Sequence, residues 1–324
     1  MNASANALCA FLRQQAFTPF SLTGRIDDRR YLPRTFPAGL PLLVTLQEYP
    51  HYRQMVGESW MHWHDYYEVW MSTGGHGEYR CGNHAFAFGP GDVVVVDPLK
   101  LHGVLRMERN HAPLVVFFPA SIVGKRGVIS DARFLAAWDQ RPEKRVPRLD
   151  GNDPGAAPVH VALHQLAEAW FDPATGETRE VALEFRLIEL LFQLRQAFLA
   201  GYSRQLVEPV SVRSEREARL RQVLDYVAQN CANELSQPEV ARTVGMSVSS
   251  FREFFKETTG WRFGDYLRDL RLDRAARLLR ESDEPIAEVA QRSGFADQSH
   301  LTRLFKEKYG ITPLQYRKQR PGGG

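Results

Sequence analysis

Cysteine is scarce in this 324-residue chain: only Cys9, Cys81 and Cys231, far apart from one another. Three isolated thiols build no disulfide framework and no thiolate metal cluster, so a reducing compartment, the cytoplasm, is the expected home. Long apolar runs are missing too. Nothing comes near the roughly 18 uninterrupted apolar residues of a membrane span, so no membrane partner is expected. The opening MNASANALCAFLRQQAF has neither the basic start nor the continuous apolar core of a secretion signal. Nor does one charge sign dominate: 41 Lys and Arg face 38 Asp and Glu. The whole +3 excess lies in residues 215–320, where 19 basic residues face 16 acidic ones. So small a surplus identifies no polyanionic partner. A case for nucleic acid must rest on where the basic residues stand.

What is present is a globular composition, 44% hydrophobic and 24% charged, in a chain long enough for two domains and a connector. Residues 35–120 alternate short apolar runs with Gly and Pro: LPLLVTLQEY, YEVWMSTGG, HGEYRCG, HAFAFGPGD, VVVVDP and PLVVFFP. Many short strands joined by tight turns predict a β-sandwich or small barrel. The period then changes. Within 121–205, residues 131–138, 159–171 and 179–200 read as helices, and RPEKRVPRLDGNDPGAAP between them as a loop. The last of these helices carries two apolar stripes, Val181, Phe185, Ile188 and Phe192 beside Leu187, Leu191, Leu194 and Phe198. That is wider than one packing face requires. It suits either a helix that also packs across a homodimer interface or one buried in its own subunit. Segment 121–205 is therefore expected to be a helical linker and dimerisation segment, with a hinge in the polar text Tyr202–Glu217.

Residues 215–318 hold two helix-turn-helix patterns, Leu235–Gly260 and Pro285–Gly310, joined by an amphipathic helix. In each, a brace helix precedes a turn glycine, Gly245 or Gly294, where positive φ is easiest. A cap follows, Ser247 or Asp297, and then a recognition helix whose outer face can enter the major groove. Phe251 and Phe255, and Leu301 and Phe305, are expected inside. Ser249, Ser250, Arg252, Glu253 and Lys256 are left for DNA in the first unit, and Gln298, Ser299, His300, Thr302, Arg303 and Lys306 in the second. Gln pairs naturally with adenine and Arg with guanine; Lys306 suits a phosphate. A plain helical bundle with solvated arginines does not account for two patterns of equal internal spacing.

These residues resemble the DNA-binding domain of the AraC/XylS family of bacterial transcription regulators. GFADQSHLTRLFKEKYGITPLQYRKQR is closely similar to the family signature. The resemblance implies a seven-helix domain that binds double-stranded promoter DNA. It also departs: Glu253 stands where a basic residue is common, and the family's Gly-x-x-Pro appears as Gly260-Trp261-Arg262-Phe263.

The strand region holds HWHDYYE. His62 and His64 are two apart and share a face of a strand, regular alternation puts Glu68 on the same side, and His102 can come round from a neighbouring strand. Three imidazoles and a carboxylate can hold a divalent metal or line an effector pocket beside Trp70. The pattern resembles a cupin barrel, with Gly75, Pro90 and Gly91 as further matches. No catalytic residue and no obligatory cofactor is expected. The expected whole is multidomain: a cupin-like barrel, a helical segment and an all-α domain with tandem helix-turn-helix units. Its expected function is a ligand-responsive activator of a catabolic operon, with a small-molecule effector such as a sugar and RNA polymerase as a candidate partner. The alternatives are a metal-dependent cupin enzyme fused to a DNA-binding domain, or a constitutive DNA-binding dimer.

Overall fold

In the computed structural model, the described residues are 1–15, 31–32, 34–37, 40–46, 61–82, 84–108, 112–119, 122, 132–138, 146–173, 177–199 and 210–319. They fall into an N-terminal unit reaching Glu217 and a C-terminal unit from Ala218 onward, to which Tyr31 is also assigned. The N-terminal unit starts with helix α1 (Ala3–Leu12). Seven strands follow: β1 (Leu43–Leu46), β2 (Tyr66–Met71), β3 (Gly77–Cys81), β4 (His84–Phe88), β5 (Val93–Val96), β6 (His102–Met107) and β7 (Leu114–Pro119). A 3-10 helix (Ala132–Ala137), the short β8 (Arg148–Leu149) and helices α2 (Ala156–Phe171) and α3 (Glu177–Leu199) complete it.

The strands form two antiparallel sheets, ordered β1-β7-β2-β5-β8 and β4-β3-β6. Alternation along β2 decides what each sheet face covers. Tyr66 and Trp70 point between the sheets, where they meet Val94, Val96, Val115 and Phe117, and Tyr79, Phe88 and Val104 from the smaller sheet. Tyr67, Val69 and Met71 point the other way, into a core shared with α1, α2 and α3. Both faces of the larger sheet are covered, which is why its central strands read as unbroken apolar text such as VVVV.

Several expectations change here. Helix α1 was not anticipated. Asn2 caps it by accepting from the Ala5 amide at 2.9 Å, and Leu8 and Leu12 enter the core. Strand β8 lies inside the stretch read as a loop, pairing Leu149 with Val93 and Arg148 with Val94. Two residues beside Pro147 carry no periodicity to read. In segment 121–205, Leu135, Trp138, Val159, Leu163, Leu166, Leu187 and Leu191 all join the core of the larger sheet, so these helices belong to the same unit as the strands. The two stripes of α3 have different fates. Leu187, Leu191, Leu194 and Phe198 are fully buried, whereas Val181, Phe185 and Phe192 are 58%, 62% and 44% exposed. Of the expected hinge, 202–209 lies outside the described residues, and from Val210 onward the chain is helical. Its Arg, Glu and Leu content favours that state.

The C-terminal segment contains seven helices among the described residues. They are α4 (Val210–Asn230), α5 (Gln237–Thr243), α6 (Val248–Thr259), α7 (Phe263–Glu281), α8 (Ile286–Arg292), α9 (Gln298–Tyr309) and α10 (Pro313–Lys318). The brace helices α5 and α8 each start one residue away from the expected Pro238 and Pro285, with Ser236 and Pro285 as N-caps. Among the described residues, no helix is long and apolar enough to cross a membrane.

Candidate nucleic-acid interface and sensor site

The recognition helices α6 and α9 are built alike. Each has 12 residues. Ser247 accepts from the Ser250 amide at 3.2 Å and Asp297 from the His300 amide at 2.8 Å, each satisfying one orphan donor of the first turn. Gly260 and Gly310 close the helices in the left-handed region, with φ of 84° and 76°. The turn glycines Gly245 and Gly294 also have positive φ. Phe251, Phe254 and Phe255 are buried in the first unit, and Leu301, Leu304 and Phe305 in the second. Phe254 and Leu304 were not expected inside; their three-residue spacing from Phe251 and Leu301 is the signal for them.

The outer faces hold the candidate base readers. Ser249, Ser250, Arg252, Glu253 and Lys256 are exposed on α6; Gln298, Ser299, His300, Arg303 and Lys306 are exposed on α9, and Thr302 is half-buried. The His300 ring rests edge-on against Phe295, centroids 5.7 Å apart. Arg303 Nη1 lies 3.7 Å from Glu307 Oε2, an exposed pair that solvent largely screens.

Other basic residues turn inward. Lys308 Nζ sits 2.6 Å from carboxylate oxygens of both Asp269 and Asp273, and Tyr309 donates its hydroxyl to Asp273 at 2.7 Å. This network ties α9 to the connector α7. The connector arginines, spaced three apart in the sequence, have different partners: Arg268 pairs with Asp265 and Arg277 with Glu281 on α7 itself, while Arg271 and Arg274 brace helix ends. Arg271 donates to the Cys231 and Asn233 carbonyls at 2.7 and 2.8 Å, and Arg274 to the Arg292 carbonyl at 2.8 Å. Arg280 donates to the Tyr316 hydroxyl.

The histidine cluster assembles in the N-terminal unit. His62 and His102 form an antiparallel bridge, exchanging two backbone bonds of 2.9 Å. One ring nitrogen each from His62, His64 and His102 comes within 4.8 Å of the other two. Glu68 lies beside this trio: its Oε2 is 2.9 Å from His64 Nε2 and 3.4 Å from His102 Nε2. All four residues are buried. His64 and Tyr66 rings stack 3.9 Å apart, and Leu99, at φ 66°, donates its amide to the His64 carbonyl, a strained residue next to the site. Trp70 faces the same interior but packs against Tyr79 and Phe88. Trp60, another aromatic of this stretch, lies outside the described residues. His62 and His64 precede β2 rather than lying on a regular strand, so the bridge to β6 sets their direction.

The ring protons decide what this cluster can hold. His64 Nδ1 is 2.9 Å from the Tyr66 carbonyl and His102 Nδ1 is 2.8 Å from the Lys100 carbonyl. A carbonyl accepts only from N–H, so each Nδ1 is protonated. Each Nε2 faces the Glu68 carboxylate, and with Nδ1 already protonated the 2.9 Å contact of His64 Nε2 with Oε2 needs a proton between the two atoms or a cation in its place. Burial pulls the His64 pKa down to about 4, against the hydrogen bond that the protonated ring donates to the Glu68 carboxylate. Burial pushes Glu68 up, but the adjoining His102 and His64 rings outweigh it and hold the carboxyl well below its usual range. His102 Nε2 is a buried nitrogen without a hydrogen-bond partner. Ring nitrogens of His62, His64 and His102 gathered within 4.8 Å, with His64 and His102 oriented through their far nitrogens, could hold a divalent cation in place of that proton.

Comparison with known proteins matches residues 240–319 to a helix-turn-helix domain family and residues 52–194 to an AraC-binding-like domain family. The multiple antibiotic resistance protein MarA of Escherichia coli (strain K12) is 34% identical over 108 residues, 33% of this chain and 85% of MarA. The chain belongs to the AraC family of transcriptional regulators. The transcriptional activator RhaS of Klebsiella pneumoniae (strain 342) is 27% identical over 267 residues, 80% of this chain and 87% of that protein. A crystal structure of an AraC-type transcriptional regulator from Chromobacterium violaceum is similar at 27% identity, covering 34% of this chain and 99% of that one, with a TM-score of 0.32.

In this AraC-family regulator the departure at Gly260–Phe263 has a packing explanation. Phe263 is the first residue of α7 and is buried, with its ring 5.4 Å from Phe251 and 5.5 Å from Phe255. In the second unit the corresponding place is taken by Pro313, buried behind the Thr312 cap of α10. The Phe263 ring thus joins the Phe251 and Phe255 rings in the first core.

Proposed function

We propose that this regulator is a ligand-responsive transcription activator that reads promoter DNA as a homodimer. The observation that carries DNA reading is the pair of recognition helices with equal length, caps and buried trios, each presenting polar side chains outward. Activation is supported by the RhaS relatives, which are named transcriptional activators; RNA polymerase is the partner such a role requires. The exposed Val181, Phe185 and Phe192 stripe of α3 supports dimerisation, because an apolar face of that kind is stabilised by a second copy. The effector belongs at the His62, His64, Glu68 and His102 cluster. Hydrogen-bonding groups beside aromatic rings suit a small polar molecule, a sugar foremost. For the effector to regulate, it must bind two states of the protein with different affinity. The cytoplasm is where such a protein meets its promoter.

The orphaned His102 Nε2 favours a second element of the proposal: a divalent cation held by His62, His64 and His102, with Glu68 alongside. When bound, the ion supplies an open coordination position for an oxygen-bearing effector.

The test of DNA reading is a pair of substitutions assayed by fluorescence anisotropy on the cognate operator. Arg303→Ala should cost about 1–3 kcal/mol and relax preference at one base pair. Lys306→Ala should weaken all sequences alike and lower the salt slope by about one unit. If neither changes binding, α9 does not lie in the groove.

A further inference from the structure

The two recognition helices correspond position by position. Each N-cap oxygen takes the third helical amide, each helix ends on a left-handed glycine, and the buried trios share one spacing. Counted from the caps, Lys256 occupies the place of Lys306, Glu257 that of Glu307, and Glu253 that of Arg303. Glu253 is exposed, and among the described residues it makes no hydrogen bond or ion pair; Arg303, by contrast, reaches toward Glu307.

We infer that Glu253 is a specificity-determining residue and that it selects a cytosine in the stretch read by the first unit. The inference rests on the proposed DNA reading by both units. A carboxylate offers acceptors only. In the major groove, guanine presents O6 and N7 and thymine presents O4, all acceptors that repel it. Adenine places N7 next to its amino group. Cytosine alone presents an amino donor with no neighbouring acceptor on its edge. Phosphates repel a carboxylate as well, so the side chain has no productive use on the backbone. Glu253 therefore discriminates as much by what it rejects as by what it binds. The outer charges follow the same division: Arg252 and Lys256 are offset by Glu253 and Glu257 on α6, whereas Arg303 and Lys306 face only Glu307 on α9. The second unit provides the general attraction to DNA and the first adds selectivity with little attraction of its own.

The experiment selects binding sites from a randomised duplex library with the full-length protein and with Glu253→Gln and Glu253→Arg. The wild type should enrich sites with one cytosine favoured about 5- to 100-fold over the other bases. The Gln variant should move that position toward adenine and the Arg variant toward guanine, with every other position unchanged. Both changes are at an exposed helical site, and unchanged melting temperatures will show that folding is intact. Should both variants keep the cytosine, or bind all sequences more tightly by one common factor, Glu253 is a solvated surface charge and the inference falls alone. Failure of the wild type to enrich any sequence would overturn the DNA-reading proposal and this inference with it.

Discussion

Replacing Gly294 by alanine should destabilise the C-terminal unit far more than the same change at Gly245, although both occupy the turn of a helix-turn-helix. Both have positive φ, 83° and 65°. An L-residue in that region costs about 1–2 kcal/mol, and the loss of unfolded-chain freedom returns about 0.4–1 kcal/mol. At Gly245 an added Cβ meets nothing within 4 Å, so Gly245→Ala should cost only about 1 kcal/mol. At Gly294 the Cβ would lie 2.5 Å from the Cys231 carbonyl oxygen, 2.7 Å from Arg271 Nε and 3.2 Å from Ala232 Cα. That carbonyl is backbone, and it accepts from Arg271 at 2.7 Å. Neither group can withdraw without breaking this charge-assisted bond, at about 1.5–3 kcal/mol, and the remaining crowding adds about 1–3 kcal/mol. With the net cost of about 1 kcal/mol for the backbone conformation, Gly294→Ala should therefore cost about 3.5–7 kcal/mol, a large share of a typical domain stability of about 5–15 kcal/mol. Urea unfolding of both variants, with hydrogen exchange read at the buried amides of α8 and α9, measures the difference. Equal losses at the two glycines would refute the claim that the contact with Cys231 and Arg271 decides the cost.

Three further outcomes are expected. Phe185→Glu, on the exposed stripe of α3, should convert a dimer to monomers in sedimentation velocity while leaving the melting temperature of the monomer unchanged; an intact dimer sinks the proposed interface. Zinc or manganese at about 100 times its dissociation constant should stabilise the protein by about 2.7 kcal/mol, and His102→Ala should abolish the effect; a wild type whose melting ignores both metals rules the cation out. His160 is buried with Nε2 2.7 Å from the Gly91 carbonyl, and burial lowers its pKa below the ordinary 6.5. A lowered folded pKa means that the unfolded chain takes up the proton first. Its stabilisation is thus present above about pH 6.5 and lost as pH falls through the folded value, by at most about 1.4 kcal/mol per pH unit. His64, at about 4, adds a loss of the same sign between 6.5 and 4. Urea midpoints should fall with acid over this range and fall less in His160→Gln; parallel pH profiles count against the assignment.

Much of the DNA-binding part was legible because its signals are local. The caps Ser247 and Asp297, the turn glycines and the inward Phe251, Phe255, Leu301 and Phe305 all act within one or two helical turns, and all stand where expected. The sequence also pointed to His62, His64, Glu68 and His102 as one group, but the alternation it relied on does not hold them together: His62 and His64 precede β2, and the bridge from His62 to His102 brings the rings into reach. Helix α1 and strand β8 were not legible. Their stability comes from partners far along the chain, Asn2 with Gly151 and Leu149 with Val93, and neither segment announces its partner.

The order of residues alone determined that the chain carries two helix-turn-helix units behind a strand-rich front, since periodicity, caps and turns need only neighbours a few positions away. Tertiary structure decided the rest. It turned Lys308 inward to two aspartates, set Arg271 and Arg274 on helix ends, left Val181, Phe185 and Phe192 of α3 exposed and packed one of two equivalent glycines against a backbone carbonyl. Each depends on contacts between residues about twenty to sixty positions apart, and a side chain's worth there is set by the atoms folding brings against it.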